Sequence, residues 1–77
     1  MWYVYILKCG DGSLYTGATK DVKRRFYQHK QGRGGHYTAS REVVKLVHQE
    51  IFRTRGQALK REAEIKRWPR SKKLKLF

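Results

Sequence analysis

Trp2-Tyr3-Val4-Tyr5-Ile6-Leu7-Lys8-Cys9 runs into Gly10-Asp11-Gly12 and then into Ser13-Leu14-Tyr15-Thr16-Gly17. Aromatic and β-branched residues fill the first run, a glycine-flanked aspartate breaks it, and a second short run follows. That is the signature of a β-hairpin. Two turns are open to it. A two-residue Asp-Gly turn would place Tyr5 and Tyr15 on opposite faces of the sheet. A three-residue loop with Gly12 in the left-handed region sets Leu7 opposite Tyr15. Tyr5 then lies diagonally across from Tyr15 on the same face. The three-residue loop is the expectation. Ordinary half-buried packing is the plain reading of two strand tyrosines, so their meaning depends on what else reaches that face.

Working outward, residues 2–8 form a strand apolar on both faces, which predicts a central or doubly covered position. The second strand, over residues 13–19, carries Gly17 near its end, where a bare backbone lets another group approach closely. A helix follows, with Asp21 or Thr19 to cap it and Gly32 to end it. On its wheel Val22, Arg25, Phe26 and His29 share one arc of roughly 100°. Val22 and Phe26 aim that arc at the sheet, and Arg25 and His29 stand one turn apart at its edge. A rim position on a basic helix is the plain reading of His29.

Residues 31–38 make a glycine-rich basic loop containing Arg33. It lacks the Lys-Ser/Thr ending of a P-loop, so it serves either as a connector or as a phosphate contact. A third strand is expected over residues 43–52, wetted on one side near its end. Thr54 and Gln57 spell a capping box for the next helix. Ala58, Leu59, Ala63 and Ile65 define that helix's apolar arc, with Glu62 near its middle. A carboxylate there is costly unless a cation, a metal ion or a donor meets it, and a structural salt bridge is the plain alternative. Trp68-Pro69 closes the helix. Residues 70–77 read as a short strap returning Leu74, Leu76 and Phe77 to the domain.

Charge narrows the partner. Nineteen Lys and Arg against six Asp and Glu give the 77 residues a net charge of +13. Nucleic acid is the expected partner of such a surface. Lys20, Arg24, Arg33, Lys66 and Arg67 are the candidate contacts. With 39% hydrophobic residues in patterned runs, the chain is no disordered basic tail. Its single cysteine, Cys9, excludes an internal disulfide and a multi-cysteine zinc site, which fits a reducing cytoplasm. The apolar run at residues 2–7 is too short for a signal peptide's core or a membrane span, so no membrane is expected.

Tyr5, Tyr15, Arg25, His29 and Glu62 remain as the candidate catalytic set. Phosphodiester hydrolysis needs an activated water, charge stabilisation on the phosphate and help for the leaving oxygen. A divalent ion on Glu62 would serve the last two needs. Arg25 would clamp a phosphate oxygen through its planar fork. A tyrosine would move a proton to or from water if its pKa fell well below 10 near cations. His29 would hydrogen-bond that tyrosine or relay the proton.

Tyr3-Val4-Tyr5 and, ten residues after Tyr5, Tyr15-Thr16-Gly17 resemble the paired motif of the GIY-YIG nuclease superfamily. Arg25 and His29 match helix residues of that family, and Glu62 matches its metal-holding glutamate. The likeness extends over essentially the whole chain and is nearest to the small single-domain bacterial members. It implies an α+β fold, a small sheet of three antiparallel strands flanked by helices, in one domain over residues 1–77. It also implies DNA as the nucleic acid, and a cut dependent on one Mg²⁺ or Mn²⁺ ion, of use in DNA repair or recombination. A motif tyrosine would act as base, Arg25 would steady the phosphate and Glu62 would bind the metal.

The sequence departs from the pattern in several places, among them Ala18, near where some relatives carry a lysine. Tyr3 replaces the motif's leading glycine, which would narrow the site. The chain also has no asparagine, so it lacks the late asparagine of larger relatives. Two rival readings follow: a nucleic-acid-binding module of the same fold that does not cut, and an RNA-associated protein stacking bases on Trp2, Tyr37 and Trp68.

Overall fold

The structure, a computed structural model, describes residues 1–30 and 43–77. Its elements are β1 (Trp2–Cys9), β2 (Leu14–Thr19), α1 (Val22–Lys30), β3 (Val43–Phe52), α2 (Arg55–Lys66), α3 (Arg70–Lys73) and a 3₁₀ turn over Leu74–Leu76. The strands form one sheet in the order β2-β1-β3, with β1 antiparallel to both neighbours. This is the three-stranded α+β arrangement that the family resemblance implies. The glycine-rich loop, with Arg33, Tyr37 and the helix stop at Gly32, lies outside the described residues.

The hairpin uses the three-residue loop. Cys9 N–H donates to Ser13 O at 2.9 Å, and Gly12 N–H donates to Cys9 O at 2.9 Å. Gly12 has φ of 85°, the left-handed region that this loop demands at its last position. Leu7 therefore pairs with Tyr15, and Tyr5 with Gly17. β1 runs one residue beyond the expected end, because Cys9 still pairs with Ser13 across the loop mouth.

Alternation along β1 then divides the molecule. Val4 and Ile6 face α2 and are fully buried with Ala58 and Ile65. Tyr5, Leu7 and Cys9 face α1 and pack with Tyr15, Val22, Phe26 and Leu46. Each of the larger aliphatic side chains gains about 1.5–3 kcal/mol from burial, so both faces hold β1 at the centre. The β1–β3 pairing shifts register between Ile6 and Leu7 and again between Lys8 and Cys9. Toward the end of β3, Ile51 is 59% exposed, the wetted end that the pattern implies.

Asp21 caps α1, its Oδ1 accepting the Arg24 N–H at 3.0 Å, while Thr19 Oγ1 accepts the Asp21 N–H at 3.1 Å. Both cap candidates thus act in series. At the start of α2 the capping box is complete. Thr54 Oγ1 accepts the Gln57 N–H at 3.2 Å, and Gln57 Oε1 accepts the Thr54 N–H at 3.4 Å.

The inner face of α2 differs from the expected arc. Ala58 and Ile65 are buried, but Leu59 and Ala63 face solvent. The residues between the two buried positions, at i+3 and i+4, are Arg61 and Glu62. Arg61 is held by Glu50 of β3, with Nε to Oε1 at 2.8 Å and a second guanidinium nitrogen to Oε2 at 3.1 Å, and it also bonds Glu64. His48 Nε2 meets Glu50 Oε2 at 2.8 Å. Arg61's hydrogen bonds hold the Glu50 carboxyl below its ordinary pKa against a smaller opposing effect of burial. A polar clamp through Arg61 therefore fastens α2 to β3.

Trp68 packs on the same core, with Arg61 and Lys72 over its ring at 4.9 and 4.4 Å. In the terminal strap only Leu76 returns to the core. Leu74 and Phe77 are 42% and 46% exposed. No described helix is long and apolar enough to cross a membrane.

Candidate functional site

The α1 face of the sheet gathers three aromatic rings. Tyr5 and Tyr15 lie diagonally across the hairpin with centroids 6.3 Å apart. His29 of α1 closes the triangle, 4.8 Å from Tyr15 and 6.0 Å from Tyr5. The Tyr5 hydroxyl and His29 Nε2 are hydrogen-bonded at 3.0 Å. His29 is only 1% exposed, so it is a buried partner of the phenol and not the rim residue that the wheel suggested.

Gly17 makes this geometry possible. A Cβ placed on it would lie 2.6 Å from Tyr5 Cζ and closer still to the hydroxyl oxygen. Any side chain at that position would expel the ring from its place across β2.

Electrostatics set the resting proton positions. Burial is the largest influence on Tyr5 and raises its pKa far above the usual phenol value. Tyr15, by charge and hydrogen bond, and the charge of Glu62 raise it further, while Arg25 lowers it. The expected lowering by cations is therefore overridden. Arg25 acts in that direction, but desolvation of a 2% exposed phenol outweighs it. His29 is pushed the other way, its pKa lowered by burial first and by Arg25 second. Both groups are thus favoured in their neutral forms, and with the imidazole proton on Nδ1 the phenol donates to His29 Nε2.

Arg25, half-buried on α1, turns toward a hollow of about 310 Å³ that it lines with Thr19, Lys20, Asp21, Arg24 and Gln28. Two of the expected nucleic-acid contacts, Lys20 and Arg24, thus stand beside Arg25. Gln28 was not anticipated, although it lies one turn from both arginines and the spacing carried that signal.

Glu62 reaches the neighbourhood from α2. Its side chain is 18% exposed, and it pairs with Lys66 Nζ at 3.2 Å. It is thus not turned fully outward, and its charge is felt by Tyr5. Lys66 and Arg67 are exposed, Lys66 being tied to Glu62. Arg33 lies outside the described residues. Trp2 and Trp68 both pack on the α2 core, and Lys20 and Arg55 sit 5.6 and 5.8 Å from the Trp2 ring centre. Both indoles are half-buried, each with two cationic side chains near its ring.

Glu62 suits a hard divalent ion that keeps most of its own waters. Among the described residues no group of three or more His, Cys, Asp and Glu could cage a metal. Zinc, which takes three or four protein ligands, therefore does not match these donors. Mg²⁺ does, because it commonly binds through one or two carboxylates and completes its shell with water and substrate phosphate.

Comparison with known proteins identifies the family and the fold. Residues 1–75 match the family described as the GIY-YIG catalytic domain. The UPF0213 protein of Staphylococcus saprophyticus is 57% identical over 97% of this chain and 92% of its own. The UPF0213 protein of Staphylococcus aureus is 55% identical over the same shares. The solution NMR structure of the UPF0213 protein of Bacillus halodurans superimposes with a TM-score of 0.62 at 45% identity. That match covers 99% of this chain and 82% of the other. The chain belongs to the GIY-YIG catalytic domain family, a membership that points to nuclease-type action on nucleic acid.

Proposed function

We propose that the chain binds DNA and hydrolyses its phosphodiester bonds with one divalent ion, in the service of DNA repair or recombination. The observation that carries the reading is the meeting of Tyr5, Tyr15 and His29 on one face, with Arg25 and Glu62 near enough to act on Tyr5. Glu62 is the residue that would hold Mg²⁺ or Mn²⁺, and the bound ion supplies charge stabilisation at the phosphate and the leaving oxygen.

The chain's own residues do the rest. Arg25 offers its planar fork to a non-bridging phosphate oxygen at the edge of the basic hollow. Tyr15 is half-buried and is the phenol that a water can meet, while Tyr5 is sealed behind it. With Tyr5 and His29 neutral at rest, a proton leaving water passes to the Tyr15 oxygen as the Tyr15 proton passes to the Tyr5 oxygen and the Tyr5 proton to His29 Nε2. His29 ends as the imidazolium, and the water oxygen is left to attack phosphorus. Burial makes a free phenolate expensive, so concerted hand-over to His29 is the route that this geometry supports.

The test is nicking of branched, single-stranded and duplex DNA in Mg²⁺ or Mn²⁺. Wild type should cut, and Glu62→Ala and Arg25→Ala should each lose on the order of 10²-fold or more in rate. Equal cutting by all three proteins would remove the assignment. A second reading has one observation in its favour: Lys66 already neutralises Glu62. In that case the domain binds DNA without cutting it. Affinity would then fall steeply with salt while no product forms with any metal.

A further inference from the structure

A second hollow lies on the same face, on the β3 side of Tyr5. We propose that it seats one nucleobase of the bound strand, while the phosphate of that nucleotide sits in the basic hollow beside Arg25. The inference rests on the nucleic-acid binding proposed above, but not on cleavage.

The hollow measures about 400 Å³, within the ~300–1,000 Å³ typical of small-molecule sites. Tyr3, Val22, Phe26 and Leu46 give it an apolar wall with two aromatic rings. That is the surface a base prefers, since every base has a π-face to stack. Its rim is basic, with Lys20 and Lys23. Asp21 also lines it, but the carboxylate is engaged as the α1 cap, with Oδ1 on the Arg24 N–H. Gln49 supplies the polar group. It pairs in register with Tyr5 across β1–β3 and is exposed. Its amide both donates and accepts, and suits the N6/N7 edge of adenine above the other bases.

Position decides the occupant. The apolar hollow and the basic hollow share Lys20 and Asp21 as a common wall. An aromatic slot and a guanidinium-lined slot separated by Lys20 and the capping Asp21 match the two halves of one nucleotide. Tyr5, Tyr15, Arg25, His29 and Glu62 do not line the apolar hollow, so the catalytic set does not account for it. Tyr3 thereby finds a use. The bulky side chain at the motif's first position helps to build the second hollow two residues along β1 from Tyr5.

The test is an amide-resolved NMR titration without metal, using the four deoxynucleoside monophosphates and, as the baseless control, 2-deoxyribose 5-phosphate. The nucleotides should shift Tyr3, Val22, Phe26 and Gln49 and bind about tenfold more tightly than the sugar phosphate. Deoxyadenosine monophosphate should bind tightest. Gln49→Ala, an exposed change that leaves the fold intact, should erase the adenine preference. Phe26→Leu, which keeps the wall apolar, should reduce every nucleotide toward the control's affinity. Shifts at Arg24 and Arg25 should persist in both variants. Equal affinity for sugar phosphate and nucleotide, or shifts confined to the arginines, would overturn the base seat. Because no product is scored, a protein that fails to cut DNA can still pass this test, and one that cuts can still fail it.

Discussion

The two faces of β1 are made by the same eight residues and do opposite work. On the α2 side Val4 and Ile6 lie against Ala58 and Ile65, all fully buried. On the α1 side the strand presents Tyr5 to a histidine and a second phenol, with a glycine beneath. The first face is a core that tolerates no gap. The second holds polar groups out of water without a full set of charges. A two-residue period thus separates stability from chemistry within one strand, each available to mutation without the other.

The widest separation should come from a pair of variants. Tyr5→Phe keeps the ring and removes the hydroxyl that bonds His29. Cutting should fall by about 10²–10⁴-fold, the usual weight of a positioned proton-transfer group. Ile6→Ala on the other face should cost about 2–5 kcal/mol of stability, with near-normal rate per folded molecule. Denaturant unfolding and single-turnover cleavage on both proteins check this. If Ile6→Ala stayed stable but inactive, the division between faces would be wrong.

Gly17→Ala sharpens the comparison at the point where the faces meet. The added methyl invades the Tyr5 ring, so the cost should be about 1–3 kcal/mol. Activity should fall too, because the ring must leave His29. A double variant with Tyr5→Ala should regain part of the stability and none of the activity, which thermal melts and cleavage assays would read.

The smallest effect is in pH. His29 has a folded pKa below its ordinary 6.5, so the unfolded chain takes up a proton first as pH falls. Stability present above about pH 6.5 is therefore lost on acidification, down to the folded pKa. Cleavage should decline on the same side, since a protonated His29 cannot accept from Tyr5. Glu50 adds a second loss below its ordinary value of 4.5, because its folded pKa is also depressed. His29→Gln should delete the upper step from a plot of melting midpoint against pH and leave the lower one.

Local chemistry made part of this legible in the sequence. Gly10-Asp11-Gly12 set the loop, the loop set the register, and the register put both phenols on one face. Thr54 and Gln57 declared the start of α2 in the same local way. What escaped depends on neighbours distant in the chain. The α1 wheel put His29 at an edge, but Tyr5 and Tyr15 close over it. The direction of the Tyr5 shift could not be read from nearby cations, because desolvation is a property of the assembled face. The α2 arc differs at Leu59 and Ala63, which are exposed, while Arg61 on the inner side pairs with Glu50 of β3, a partner distant in the chain. The hollow beside Tyr3 has walls from β1, β3 and α1, and no single stretch announces it.

Cys9 has a practical consequence. It is the chain's sole thiol, 1% exposed, and its backbone ties the mouth of the hairpin that positions both phenols. Alkylation of that sulfur requires the packing of the hairpin against α1 to open. The rate of modification by a small maleimide or disulfide reagent is therefore a built-in clock for hairpin breathing, needing neither a label nor an engineered residue. Slowing of that clock by added oligonucleotide would measure how firmly a bound strand clamps the hairpin shut.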